Sequence, residues 1–279
     1  MPLPSLDEAD FNCLRQRPAV RRRLGWVTPE HFRSLGCFLT ALPVGLLTAV
    51  YGGYLLDRMG LFPGRWLLFV LLGLAAAASL LPFFYVRAQI KGPVLDAIAD
   101  EHELDYATDG FELKTLDAAL PMLFGADATA ELSDLLADSE CDDVVCHAEI
   151  TGPSGTLYSG LLYSFSRSDQ SGVSLVMLPG NAATEGLELP ITMKPVEAGP
   201  DRQAWSNRPH DAPALIARLA GEGPLYLHLD REHGLVAGGG PASFDPPASA
   251  ATPDARLRAI FDNVAAALNR LRALRKSLG

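Results

Sequence analysis

The sequence predicts a membrane protein with two transmembrane helices in a hairpin, followed by a cytoplasmic α+β domain. That domain is an antiparallel sheet or partly closed roll with a C-terminal helix. Three observations predict this class. Two long apolar runs carry no charge, period-two alternation dominates from Val144 to Ala237, and the last 26 residues carry an amphipathic stripe. The expected organisation is a basic N-terminal segment (1–34), the hairpin (35–88), a helical linker region (89–140) and the α+β domain (141–279).

The apolar runs are Leu35 to Leu56 and Trp66 to Val86, 22 and 21 residues long. At about 1.5 Å per residue each is long enough for a hydrocarbon core of about 30 Å. Pro43, Gly45, Gly52 and Gly53 are compatible with a membrane span, and Tyr51, Tyr54, Trp66 and Tyr85 lie near the run ends, where amphipathic rings suit headgroups. Arg15, Arg17, Arg21, Arg22, Arg23 and Arg33 precede the first run, Arg58 and Arg65 stand between the runs, and Arg87 and Lys91 follow the second. By the positive-inside rule both termini are cytoplasmic, in a multi-pass protein of a bacterial inner membrane. Arg21, Arg22 and Arg23 are the expected contacts with the lipid bilayer surface.

Charge is unevenly divided. Residues 1–91 hold 10 Lys and Arg against 5 Asp and Glu, whereas Gly92 onward holds 13 against 28. Such an acidic body repels nucleic acid, which removes that class of partner.

The element readings follow in chain order. Lys91–Leu104 reads as a helix; Leu116–Phe124 and Glu131–Ala137 read as short helical or irregular pieces. Val144–Thr151, Leu157–Phe165, Val173–Leu178 and Leu187–Met193 alternate as strands, with Gly152–Gly155 as a turn and Pro190 suited to an edge. Asp211 caps a short helix to Gly221, and Leu225–Gly238 reads as a hairpin turning near Glu232 to Gly234. Gly238 to Thr252 is a loop. Thr252-Pro253-Asp254 then starts the last helix, with a cap, a first-turn proline and an acid.

This layout resembles a bacterial family of membrane-anchored proteins, the domain of unknown function 3137. The carriers are HELDY (His102 to Tyr106), LYSGLLYSF (Leu157 to Phe165), AWSNRP (Ala204 to Pro209) followed by ALIARLA, and LYLHLDREHGLVAG (Leu225 to Gly238). The resemblance implies two membrane helices and a soluble α+β domain, and no general activity. The CDDVVCH stretch, Cys141 to His147, departs from the family pattern.

CDDVVCH is also the first candidate for chemistry. On a strand, Cys141 and Cys146 are about 17 Å apart at about 3.3 Å per residue and face opposite ways, too far for a disulfide, whose Cα atoms lie within about 7 Å. Metal binding by Cys141, Cys146 and His147 needs Cys141 in a loop that folds back, and Cys13 and Cys37 are too remote to complete the ligands. A second candidate is HLDREH, where His228, Asp230, Glu232 and His233 surround a turn. The first cluster has no second cysteine pair to complete four ligands, and His228 and Asp230 of the second are read on a solvated polar face, so neither is expected to be a metal site. Dinucleotide, phosphate-loop, nucleophile-elbow and zinc-protease motifs are absent.

The last helix repeats Leu257, Val264, Leu271 and Leu278 with Phe261 and Leu268 between, which makes Leu257, Phe261, Val264, Leu268 and Leu271 candidates for a partner helix. Packing on the chain's own sheet explains the same stripe. The function expected is therefore non-enzymatic: binding of a protein partner, a second copy or a small ligand by the acidic domain, without a cofactor. The alternative is a membrane-tethered enzyme or metal-dependent sensor using residues near Cys141–His147 or His228–His233.

Overall fold

The structure is a computed structural model that describes residues 4–25, 51, 54, 58, 90–138, 142–168, 172–219, 222–223, 225–247, 249–250 and 252–278. Its centre is a nine-stranded antiparallel sheet in the order β1-β2-β3-β4-β9-β8-β5-β7-β6. The strands are β1 (Asp105–Ala107), β2 (Thr129–Asp138), β3 (Asp143–Gly152), β4 (Gly155–Ser166), β5 (Leu175–Pro179), β6 (Lys194–Val196), β7 (Arg202–Ser206), β8 (Tyr226–Leu229) and β9 (His233–Ala237). The helices are α1 (Glu8–Gln16), α2 (Pro18–Gly25), α3 (Lys91–Glu101), α4 (Lys114–Phe124), α5 (Ala212–Arg218) and α6 (Pro253–Leu278).

Alternation sends successive side chains to opposite faces, and here both faces are apolar. Val145, Leu161, Tyr163, Phe165, Leu175, Met177, Leu227, Leu229 and Val236 form the first face, packed against α6, α3, α5 and α1. Cys146, Ala148, Ile150, Leu162, Val176, Leu178 and Leu235 form the second, packed against Leu116, Ala119 and Leu123 of α4. Phe165 pairs in register with Gly234, and a Cβ there would stand 2.3 Å from the Phe165 ring, so only glycine fits beneath it.

Among the described residues no helix is long and apolar enough to cross a membrane. The expected spans, Leu35 to Leu56 and Trp66 to Val86, lie outside the described residues except Tyr51 and Tyr54, which are helical. The fold class is corrected accordingly, from a membrane hairpin carrying an α+β domain to a nine-stranded antiparallel sheet with helices, and the multi-pass inner-membrane placement loses its support. The longest described helix, α6, has 26 residues but carries Arg256, Arg258, Asp262, Arg270, Arg272, Arg275 and Lys276, so it has a polar face and suits a sheet surface rather than lipid.

Two element readings also change. Glu131–Ala137, expected to be helical or irregular, is strand β2. Its register with β3 shifts between Ser133 and Leu136, with Asp134 at φ 53°, and this bulge puts Leu132 and Leu135 on the second face and Leu136 on the first. The resulting i, i+3, i+4 spacing imitates a helix. Leu187–Met193, expected to be a strand, forms no ladder, because Pro190 cannot donate and the chain turns at Gly186, φ 80°. Leu187, Leu189 and Met193 still pack on the second core, while Ile191 is fully exposed.

The partner-helix candidates are buried: Leu257, Phe261, Val264, Leu268 and Leu271 are between 0% and 3% exposed, on the first face. Thr252 caps α6 as its sequence implies, its Oγ1 accepting from the Ala255 amide at 3.2 Å. At the other end, buried Arg167 donates from Nε to the Leu278 carbonyl at 2.8 Å, a cation at the negative end of the helix dipole. One turn earlier Arg275 pairs at 2.7 Å with Asp143, whose side chain is 0% exposed. Burial pushes the Asp143 carboxyl above its ordinary value, against the pull of Arg275 and the Ser166 amide.

Removing Arg275 leaves that carboxylate buried without its guanidinium. Arg275→Ala is expected to cost about 2 kcal/mol at pH 7, less than the 3–5 kcal/mol of a fully enclosed pair because Arg275 is itself partly solvated. A carboxyl with a raised folded-state pKa destabilises the fold when ionised, so the deficit should shrink as the pH falls through that value. Urea denaturation of both proteins at pH 7 and pH 4 measures it; an equal deficit at both would contradict the assignment.

Candidate functional site

The CDDVVCH stretch does not come together. Cys141 lies outside the described residues; Asp142 is exposed at φ 53°, and Asp143 is taken by Arg275. Cys146 is buried in the second core, and burial pushes its thiol up to about 12. His147 is half-buried on the opposite face, aligned with Ser133 and Leu161.

HLDREH is corrected more sharply. His228 is 6% exposed, placed on the second face between Val176 and Leu235, so it is not on a solvated surface. Burial lowers its pKa from the ordinary 6.5, while the Asp230 charge pulls the other way. Asp230 organises the turn: its Oδ1 accepts from the amides of Glu232 at 2.7 Å and His233 at 2.6 Å, and its carbonyl accepts from Arg167. The His233 Nδ1 stands 3.9 Å from the same Oδ1. Among the described residues no group of three or more His, Cys, Asp and Glu side chains could hold a metal ion.

The arginines expected at a lipid surface fall on α2, where Arg21 is exposed. Lys91, read as a topology marker, is an ion-pair centre: Nζ lies 2.7 Å from Asp134 and 2.9 Å from Asp245. Burial pulls its pKa down, but hydrogen bonds and charge from both carboxylates outweigh that and hold it above the ordinary value.

A cavity of about 760 Å³ opens elsewhere, between the turn after β5, the loop before β7, α5 and the segment at Glu222–Gly223. Its walls are Gly180, Asn181, Ala198, Gly199, Pro200, Asp201, Arg202, Ile216, Ala217, Glu222 and Gly223. The rim is braced by backbone and side-chain bonds. The Gly180 amide donates to the Asp201 carbonyl at 2.7 Å, and Gln203 Nε2 donates to the carbonyls of Gly180 at 3.0 Å and Ala182 at 3.2 Å. Arg202 donates to the Glu222 carbonyl, and Glu222 in turn pairs with Arg270 of α6. A Cβ on Gly180 would meet the Asp201 backbone at 2.8 Å, so the two turns approach this closely only with glycine there. Among the described residues no side chain pairs with the Asn181 amide or the Asp201 carboxylate.

Sequence reasoning missed this groove. The signals were two turn clusters, PGN at Pro179 to Asn181 and AGPDR at Ala198 to Arg202, which are indistinguishable from ordinary loops until β5 and β7 pair.

No family model and no curated protein matches the chain. Among solved structures the chain is similar to the crystal structure of the mycobacterial trehalose monomycolate transport factor A, TtfA, with a TM-score of 0.36 and 13% identity, covering 64% of this chain and 96% of that chain. At that level the likeness lends nothing to a functional reading.

Two outcomes check the burial of the sequence-chosen residues. His228 resists a proton that the unfolded chain accepts, so stability from this position is full above pH 6.5 and falls as the pH drops from there towards the lowered folded-state value. His228→Leu should therefore flatten the stability profile between pH 7.5 and pH 5 in urea melts; an unchanged slope would contradict a buried neutral imidazole. Iodoacetamide at pH 8 should modify the exposed Cys13 and spare Cys146 until the protein is unfolded, as read by peptide mass. Equal native labelling of the two would show that Cys146 is accessible.

Proposed function

We propose that this protein binds a small polar ligand in the groove between Gly180, Asp201 and Glu222, without chemistry on it. The observation that carries the reading is the groove itself: its volume falls in the range of small-molecule sites, and its apolar wall of Ala198, Pro200, Ile216 and Ala217 faces a few polar groups. Asn181 and Asp201 offer acceptors, which favours a ligand that donates hydrogen bonds, such as a polyol, a sugar or an amino alcohol. Binding without catalysis is favoured because, among the described residues, the walls contain no Ser, Thr, Cys, His, Lys or Tyr. The walls do hold two carboxylates, Asp201 and Glu222, which is the residue type a glycosidase pair uses. Glu222 is engaged by Arg270, however, which leaves Asp201 without a free acid or base partner among the described residues. The buried groups that the sequence singles out, Cys146 and His228, sit in the second core rather than in the groove.

A panel of monosaccharides, polyols and amino alcohols tests this by amide NMR. At least one should shift the Gly180, Asn181 and Asp201 signals saturably. Ala217 is exposed on the groove wall, so Ala217→Arg should abolish that binding without unfolding the protein. Asp201→Asn should weaken an amine-bearing ligand about tenfold, the scale of one charge-assisted hydrogen bond. If no member of the panel perturbs the groove, or if Ala217→Arg binds as the native chain does, the reading fails.

A further inference from the structure

Helix α6 presents a guanidinium that the packing satisfies along one edge alone. The Arg270 side chain is 11% exposed, and its Nη1 pairs with Glu222. Nε and Nη2, the donors of the other edge, are fully buried with no hydrogen-bond partner among the described residues. Tyr163 of β4 is 0% exposed, and its Oη is likewise buried and unpartnered.

These three donors meet the same short loop, Gly238 to Gly240, which follows β9. A Cβ on Gly239 would stand 2.6 Å from Arg270 Nη2, and one on Gly240 would stand 2.0 Å from Tyr163 Oη. Gly238 and Gly239 have φ of 103° and 74°, and Gly239 and Gly240 are exposed, so a strip of bare backbone separates the donors from solvent. Buried polar groups in native folds are almost always paired, and a cluster of donors without an acceptor calls for one.

The chemistry of the set is specific. The Nε–Nη2 edge of an arginine offers two parallel N–H groups at the spacing of two oxygens on one carboxylate or phosphate. A phenol beside it supplies a third donor, and burial raises the Tyr163 pKa, which keeps its proton in place. We infer that Arg270 and Tyr163, beneath the Gly238–Gly240 loop, form a binding site for a small oxyanion group, a carboxylate or a phosphate. The glycines are the access: the loop has no side chains to unpack, and its Gly238 amide reaches the Leu161 carbonyl only at 3.5 Å. The site is distinct from the groove, since neither Arg270, Tyr163 nor the glycine loop lines it, although Glu222 on the groove wall also holds Nη1 of Arg270.

The test titrates the full chain with inorganic phosphate and, separately, with acetate at constant ionic strength. The Arg270 Nε–H and the Gly239 and Gly240 amides are followed by NMR. Saturable shifts are expected, and the tighter of the two anions names the group the site prefers. Arg270→Lys keeps the charge but loses the fork and should weaken binding about tenfold or more. Tyr163→Phe keeps the ring packing and should weaken it about tenfold. Ala217→Arg in the groove should leave anion affinity unchanged. The inference is overturned if neither anion gives a saturable shift in the millimolar range, or if Tyr163→Phe binds as the native protein does while its amide spectrum stays native.

Discussion

Both faces of the sheet are apolar along β3, β4, β5, β8 and β9, and each has to be removed from water. A sheet with one solvated face needs a single cover, whereas this one needs two, and the remaining architecture follows from that requirement. Helix α6 lies over the first face with α1, α3 and α5 packed beside it. Helix α4 is too short to cover the second face, so residues 182–193 complete it as a loop whose leucines point inward. The loop keeps its apolar side chains and gives up its ladder, and the Glu188 amide instead donates to the Pro121 carbonyl of α4 at 3.1 Å.

The polar groups caught under these covers are placed where they secure an edge. Arg167 collects the carbonyls of Leu278, Val173 and Asp230, joining the end of α6 to two turns of the sheet. Asp143 receives Arg275 from the same helix end. Lys91 joins the start of α3 to the bulge of β2 and to Asp245 in the loop before α6. The outer side of α6 is held to the N-terminus by Arg258, which pairs with Glu8 at 2.6 Å and lies 4.6 Å over the Phe11 ring. Of these pairs Asp143–Arg275 is the most enclosed on its acid side, whereas Arg258–Glu8 is solvated on both sides and adds little to stability. Arg270 differs from them in having one edge without an acceptor among the described residues.

Residues adjacent in sequence were a poor guide to a site. In CDDVVCH the period of two divides Cys146 from His147, and Asp143, the first residue of the strand, is committed to Arg275 of α6. In HLDREH the same period sends His228 into an apolar layer, while Asp230 serves the turn. The assumption that failed at His228 was that the face opposite Leu225, Leu227 and Leu229 is solvated. That is sound for a sheet covered once and wrong for a sheet covered twice. The groove, in contrast, is built from Gly180, Asp201 and Glu222, each unremarkable in its own turn, and becomes a cavity only when β5 and β7 pair and α5 returns beside them.

Short runs of residues were enough to give the period-two core of β3, β4, β5, β8 and β9, the turn between β3 and β4, and α6 with its Thr252 cap and apolar stripe. These depend on local geometry, in which side-chain spacing and backbone conformation are set by a few neighbouring residues. The same runs place the second hairpin turn too late, since His233 and Gly234 already belong to β9. Tertiary structure alone decided that β2 is a strand, because a single bulge at Asp134 gives its leucines helical spacing. It likewise decided that the sheet has nine strands in one layer, that α6 serves its own sheet, and that Arg270, Tyr163 and three glycines meet. Those outcomes depend on which segments pair across long stretches of chain, and pairing is chosen by the burial of whole faces rather than by any short run of residues.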